Sequence, residues 1–442
     1  MGEQVLRRTF VAVSSALALR GAQGRSSADQ PAVLGGQPVR TKRFPSWPQT
    51  RPEDEASWLD ALRACKWWRQ EGHYVRDFEA AWARKLDTRY CVAMANGTGA
   101  LIAAMHAVEV GPKDEVLVGP YTFIATINAI MAHFALPVFV DTDPESHMMD
   151  ARKIEAAVTP RTRCILPVHL GGNVADMDTI LAVSRKRGIP VVEDACQAHL
   201  AEWRGKKAGT LGQFGCFSFH KFKNLPGGEA GGLVTNDETL YRHAYGFHSH
   251  YRSPGERAAD PAIARNGINL RMMEFQAAVL MAQMKHLDER ARTRDQNVGY
   301  LTDLLKEVRG VVPAKMYGGC TRNAYHLYMM RYAPEAFAGM ARERFLAAMR
   351  AEGIPVGPGY GTLNKDAFLE NTLNSRAFRA IYTKEEIAAW RERNHCPAND
   401  RLAQTGMWLG QNVLLGAKTD IEDIVTAIRK IQRHADAVKA AA

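Results

Sequence analysis

A chain of 442 residues, 46% apolar and 24% charged, can bury a large core without disulfides or metals, and its length suggests two or three domains. The formal charge of +10 comes from 57 basic and 47 acidic residues scattered along the chain; with no nucleic-acid motif beside them, they read as a solvated surface that favours anionic ligands. The seven cysteines are odd in number and none stand in C-x-x-C spacing, which argues against a disulfide framework and against a zinc or iron–sulfur site.

At the N-terminus, Arg7 and Arg8 precede an apolar stretch, Phe10 to Leu19. The stretch is about half the length of a permanent membrane span. Paired arginines before a short apolar segment resemble a twin-arginine export signal, with Ala16 and Ala18 as a weak cleavage pattern. Residues 1–30 are therefore expected to be a signal and linker of a periplasmic or exported protein. The alternative is an ordinary N-terminal helix in a cytoplasmic one. No other segment is apolar enough to cross a membrane as a helix.

From about residue 85 to 236, short strand-like runs alternate with helix-like segments. The strands are Cys91–Ala95, Val116–Val118, Val138–Val140, Cys164–Val168, Val191–Glu193, Cys216–Phe219 and Leu233–Thr235. The helices are Ala100–Val110, Ile124–Phe134, Ala151–Val158 and Met177–Lys186. This alternation predicts an α/β domain with a mostly parallel sheet flanked by helices, whose ligands bind at the carboxyl ends of the strands. A large domain over 31–300 and a smaller C-terminal α+β domain over 301–442 are expected. The last helix carries Ile421, Ile424, Val425, Ile428 and Ile431 at helical spacing, with Thr419 and Glu422 reading as its capping box.

The stretch FSFHKFKNLPGGEAGGLVTN places two lysines, Lys221 and Lys223, in a loop between two strands. By itself it says little. Around it, however, stand the parts needed to hold pyridoxal 5'-phosphate: an amine, a phosphate cradle, a carboxylate for the pyridine nitrogen and a flat partner for the ring. The cradle is the turn Asn96-Gly97-Thr98-Gly99, where a strand opens into a helix whose N–H groups and the Thr98 hydroxyl suit a dianion. A plain strand-to-helix turn capped by Thr98 competes with that reading. The carboxylate is Asp194, with Glu193 beside it directed to the opposite face if the strand continues. Phe123 is the ring partner, or else a core phenylalanine.

Together these segments resemble the DegT/DnrJ/StrS family of PLP-dependent sugar aminotransferases. The resemblance covers roughly residues 32 to 432. It runs through LGGQPVRTKRFPSWP, GPKDEVLVGPYTFIATINAI, VVEDACQAH, the SFHKFK-to-GGL loop, INLRMMEFQAA and WLGQNVLLG. It implies the type I PLP-transferase fold and a Schiff base on Lys223, five positions after Ser218. It further implies phosphate contacts from Thr98, Gly99 and Ser218, Gln197 near the ring hydroxyl, and Asp194 on the pyridine nitrogen. Phe123 would stack on the ring, and Asn269 would reach the phosphate from a neighbouring subunit, so a homodimer with shared sites follows. No residue is assigned to a metal.

The implied reaction moves an amino group from glutamate or glutamine to a keto sugar, nucleotide-linked in much of the family, or to a cyclitol. Dehydratases of the family replace the lysine with histidine, so Lys223 favours transamination. Departures at Ala230 and Leu200 leave the acceptor open. Aminohydroxybenzoate-type synthesis, dehydration and a non-catalytic sensory role remain the alternatives.

Overall fold

The computed structural model describes residues 29–255 and 258–441, so the twin-arginine-like stretch lies outside the described residues. Seven strands form the first layer. They are β1 (Tyr90–Met94), β2 (Glu115–Val118), β3 (Leu136–Phe139), β4 (Thr162–Leu166), β5 (Val192–Asp194), β6 (Phe214–Ser218) and β7 (Gly231–Thr235). A four-stranded ribbon, β1-β7-β6-β5, is joined to a three-stranded one, β4-β2-β3, through parallel bridges Ile165↔Val191 and Val168↔Asp194. The β2:β3, β2:β4 and β5:β6 pairs are parallel. Only β7 runs against its neighbours β1 and β6. Runs such as Glu115–Val118 and Phe214–Ser218 are buried at every position, the pattern of strands covered on both faces.

The sequence-derived strands and helices recur with their ends shifted by no more than three residues, except that Ala151–Val158 is a 3-10 turn, Ala151–Lys153, followed by a short helix, Ile154–Ala157. Helix α1 (Gly97–Ala107) starts three residues before its expected position, and its N-cap is Asn96, whose side chain accepts from Gly99 N. Thr98 is therefore not the cap. Helix α2 (Ile124–Met131) follows β2 directly, with Phe123 at its N-cap position.

The second layer is an antiparallel sheet in the order β8-β9-β11-β10. Its strands are β8 (Val311–Pro313), β9 (Leu327–Tyr332), β10 (Val356–Pro358) and β11 (Gly406–Gly410). Its core takes in Val298, Leu301 and Leu305 of helix α3 (Leu287–Leu305) and the isoleucine stripe of helix α4 (Lys418–Arg433). That stripe is the one the periodicity predicts. The capping box is not: α4 is capped through Asp420, which accepts from Ala417 N at 2.8 Å, while Glu422 binds the Tyr300 hydroxyl.

Val33, Leu34, Val39 and Phe44 pack on this second core, and buried Arg40 pairs with Asp420 at 2.6 Å. The chain then passes the first layer, where Trp47 Nε1 donates to the Lys223 carbonyl at 3.1 Å. Leu363, Phe378, Trp390 and Cys396 belong to the core of the first layer.

Candidate active site

The carboxyl ends of the strands converge on one cavity of about 550 Å³. It is lined by Thr98 after β1, Phe123 after β2, Asp194 at the end of β5, Gln197, Ser218 at the end of β6, and Lys223. The topology forces this: parallel strands share one end, and the β6–β7 hairpin loop folds over it.

Lys223 sits in that loop. Its own N–H donates to the His220 carbonyl at 2.8 Å, and the loop is closed by Gly227 N to Phe219 O at 2.7 Å. Burial pushes the Lys223 amine below the ordinary lysine range, with Cys196 and Asp194 opposing the shift. Lys221 is exposed, lies over the Phe222 ring and lines a different surface groove. The structure thus separates the two lysines that the sequence sets side by side.

Asp194 is 5% exposed. Its Oδ2 accepts from the Thr126 hydroxyl at 2.8 Å and its Oδ1 from Cys196 N at 3.1 Å, so both oxygens are oriented. Glu193 turns to the opposite face. It accepts from Gly209, Leu211 and Gly212 N and pairs with His169, all away from the cavity.

At the start of α1, Asn96 caps Gly99, and the first N–H groups, those of Gly97 and Thr98, take no partner among the described residues. A Cβ on Gly97 would stand 2.8 Å from Ser218 Cβ and 2.9 Å from Cys196 Sγ. The helix start therefore packs directly on β6. Phe123 is 54% exposed, which removes the core-phenylalanine reading and leaves its ring free at the cavity.

One expected contact lies elsewhere: Gly99 is buried and does not line the cavity. Asn269, expected at a partner's site, is exposed, bridges to Ser249 and lies outside the cavity of its own chain. Gln197 is fixed from both ends: Oε1 accepts from Gly171 N at 2.7 Å and Nε2 donates to the Tyr360 hydroxyl at 3.0 Å. Sequence reasoning missed Thr126, His326, Tyr360 and Trp408. The last three reach the cavity from the second sheet and its approaches. No local motif marks them.

Residues 49–429 match the profile of the DegT/DnrJ/EryC1/StrS aminotransferase family. The chain belongs to this family. Among its relatives is the L-glutamine:2-deoxy-scyllo-inosose aminotransferase of Streptoalloteichus tenebrarius, 34% identical over 420 residues, covering 91% of this chain and 97% of the relative. Another is the 3-amino-5-hydroxybenzoate synthase of Amycolatopsis mediterranei, 34% identical over 388 residues, covering 86% and 95%. A solved 3-amino-5-hydroxybenzoic acid synthase superposes with a TM-score of 0.78 at 32% identity, covering 90% of this chain and 99% of that one. The DegT-family protein is thus an aminotransferase with the α/β fold of its PLP-dependent neighbours.

Proposed function

We propose that this aminotransferase holds pyridoxal 5'-phosphate on Lys223 and moves the amino group of glutamine or glutamate to the ketone of an uncharged cyclitol. The observation that carries the reading is the cavity itself. A half-buried lysine whose amine is pushed below the ordinary lysine range, an oriented carboxylate, open helix N–H groups and an exposed aromatic ring meet at one set of strand ends. The residues fit the cofactor: Gly97, Thr98 and Ser218 offer donors for a dianionic phosphate, and close packing at Gly97 leaves the helix N-terminus bare.

When bound, the pyridine ring supplies a sink for the electron pair left as the substrate carbon loses its proton. Asp194 holds a proton at the ring nitrogen. Lys223, deprotonated more readily than a solvated lysine, would supply the nucleophilic amine that holds the cofactor and the base that moves the proton at the substrate carbon. Phe123, exposed at the cavity, would offer its ring to one face of the pyridine. Gln197, held by Gly171 N and the Tyr360 hydroxyl, would border the ring hydroxyl.

The relatives named for L-glutamine and scyllo-inosose substrates support the donor and the acceptor. Charge supports a free cyclitol over a nucleotide-linked sugar. Apart from Lys223, His326 and His220, the last of which faces Glu229 at 3.5 Å, the lining carries no basic side chain, and Glu229 stands exposed at its edge. A second copy of the chain completes the reading. Asn269 faces outward, and Trp58, Trp67 and Met273 form exposed apolar surface for a partner. The twin-arginine-like segment supports export of the folded, loaded protein; periplasmic fractionation that finds full-length chain only in the cytoplasm would remove that part.

The test is borohydride reduction and peptide mapping, followed by glutamine and a panel of scyllo-inosose and nucleotide-linked keto sugars. A pyridoxyl group on Lys223 and amination of the inosose are expected. A colourless protein that takes up no PLP overturns the reading.

A further inference from the structure

The tautomer of one histidine in the cavity wall is fixed by its neighbours. Asn224 follows Lys223 in the chain, and its Nδ2 donates to the Ala324 carbonyl at 2.7 Å. A carbonyl can only accept, so this contact settles which end of the amide is nitrogen. The other end, Oδ1, faces His326 Nδ1 at 3.2 Å. The imidazole hydrogen therefore sits on Nδ1, and Nε2 keeps its lone pair.

His326 also stays neutral. Burial, then the nearby Lys223, His199, Arg294 and His220, push it well below the ordinary histidine range. The residue is 8% exposed and lines the cavity together with Lys223, Gln197 and Tyr360. Its Nε2 has no hydrogen-bond partner among the described residues. Unlike both ring nitrogens of His199, it is not sealed in the core. It opens on the cavity as a pure acceptor beside the amine.

We infer that His326 is a specificity-determining residue whose Nε2 accepts a hydrogen bond from a ring hydroxyl of the acceptor. The inference rests on the proposed function, in which the acceptor is a polyhydroxylated ring. A neutral imidazole with its hydrogen pinned on the far side welcomes an O–H donor. It repels a carbonyl, ether or phosphate oxygen in the same place. A site built to pair a hydroxyl discriminates against analogues that lack it, because its own polar atom is then left unpaired.

The experiment uses the full-length holoenzyme and separates the two half-reactions by single-turnover spectroscopy. His326→Leu removes the acceptor. His326→Gln places a donor and an acceptor on one amide and is the conservative rescue. Calorimetric binding of myo-inositol, an unreactive polyol, gives a readout independent of turnover.

For His326→Leu, the polyol affinity and the rate with scyllo-inosose should fall about 10- to 100-fold. The visible spectrum and the glutamine half-reaction should stay within roughly twofold of wild type. His326→Gln should recover most of the loss. Equal loss in both half-reactions, or a shifted pH dependence of the chromophore, would show that Nε2 serves Lys223 and overturn the inference. An unchanged rate with scyllo-inosose overturns it as well. A wild-type protein that consumes glutamine yet binds and aminates no polyol overturns the acceptor class instead, and the role of His326 with it.

Discussion

Each functional side chain owes its chemistry to a few named contacts. Asp194 is recognisable in PVVEDA as an acid at a strand end, but its orientation comes from Thr126, 68 residues away in sequence. Asp194→Asn keeps the shape and removes the charge that, in the proposed function, would hold a proton on the pyridine nitrogen. Turnover should fall about 100-fold or more, the scale of losing one electrostatic partner at a reacting centre. Rates near wild type would remove Asp194 from the mechanism.

Lys223 gives a pH prediction with a definite sign. Burial disfavours the ammonium, so the neutral amine appears at lower pH than in a solvated lysine. The rate at which the cofactor-free chain takes up PLP should rise with pH and level off earlier than for a blocked free lysine. Coincident profiles would mean that the amine is solvated. Phe123 shows the limit of reading at this scale. The letters do not distinguish a core ring from a cavity ring, and only its exposure decides.

At the scale of elements, the alternation of fully apolar runs with amphipathic segments makes the strand and helix order legible, because period and composition are local properties. End points are less so. The start of α1 is set by Asn96, which outcompetes Thr98 because its carboxamide reaches Gly99 N at 2.7 Å. At α4 the chain enters the helix two residues earlier than Thr419, so Asp420 becomes the capping acid.

The close approach of α1 to β6 makes Gly97 a test of the cradle. Gly97→Ala would push against Ser218 Cβ and Cys196 Sγ, both fixed in β6 or just beyond β5. A cost of about 1–3 kcal/mol is expected, read as a lower denaturation midpoint together with weaker PLP binding. Unaltered affinity would show that the helix start does not touch the phosphate.

At the scale of the whole molecule, two sheets meet at the cavity, and the second one delivers Leu327 and Trp408 to its wall. The assembly question belongs here too. Asn269 stands on the surface outside its own cavity. If it serves a partner's site, sedimentation should find a dimer, and Asn269→Ala should weaken PLP binding without lowering thermal stability. A monomer that retains full PLP affinity would exclude shared sites.

The sequence by itself determined the α/β architecture, the order of its strands, and the motif positions that carry Thr98, Asp194, Ser218 and Lys223. The architecture follows from local periodicity, Thr98 and Asp194 from their places at strand ends, and Ser218 and Lys223 from the resemblance to the family's loop. Only the tertiary structure decided how Asp194 is oriented, which nitrogen of His326 is free, and that Tyr360 and Trp408 share the wall. Those facts depend on contacts between residues far apart in the chain. Long-range packing and burial bring them together, and no short window of sequence encodes them.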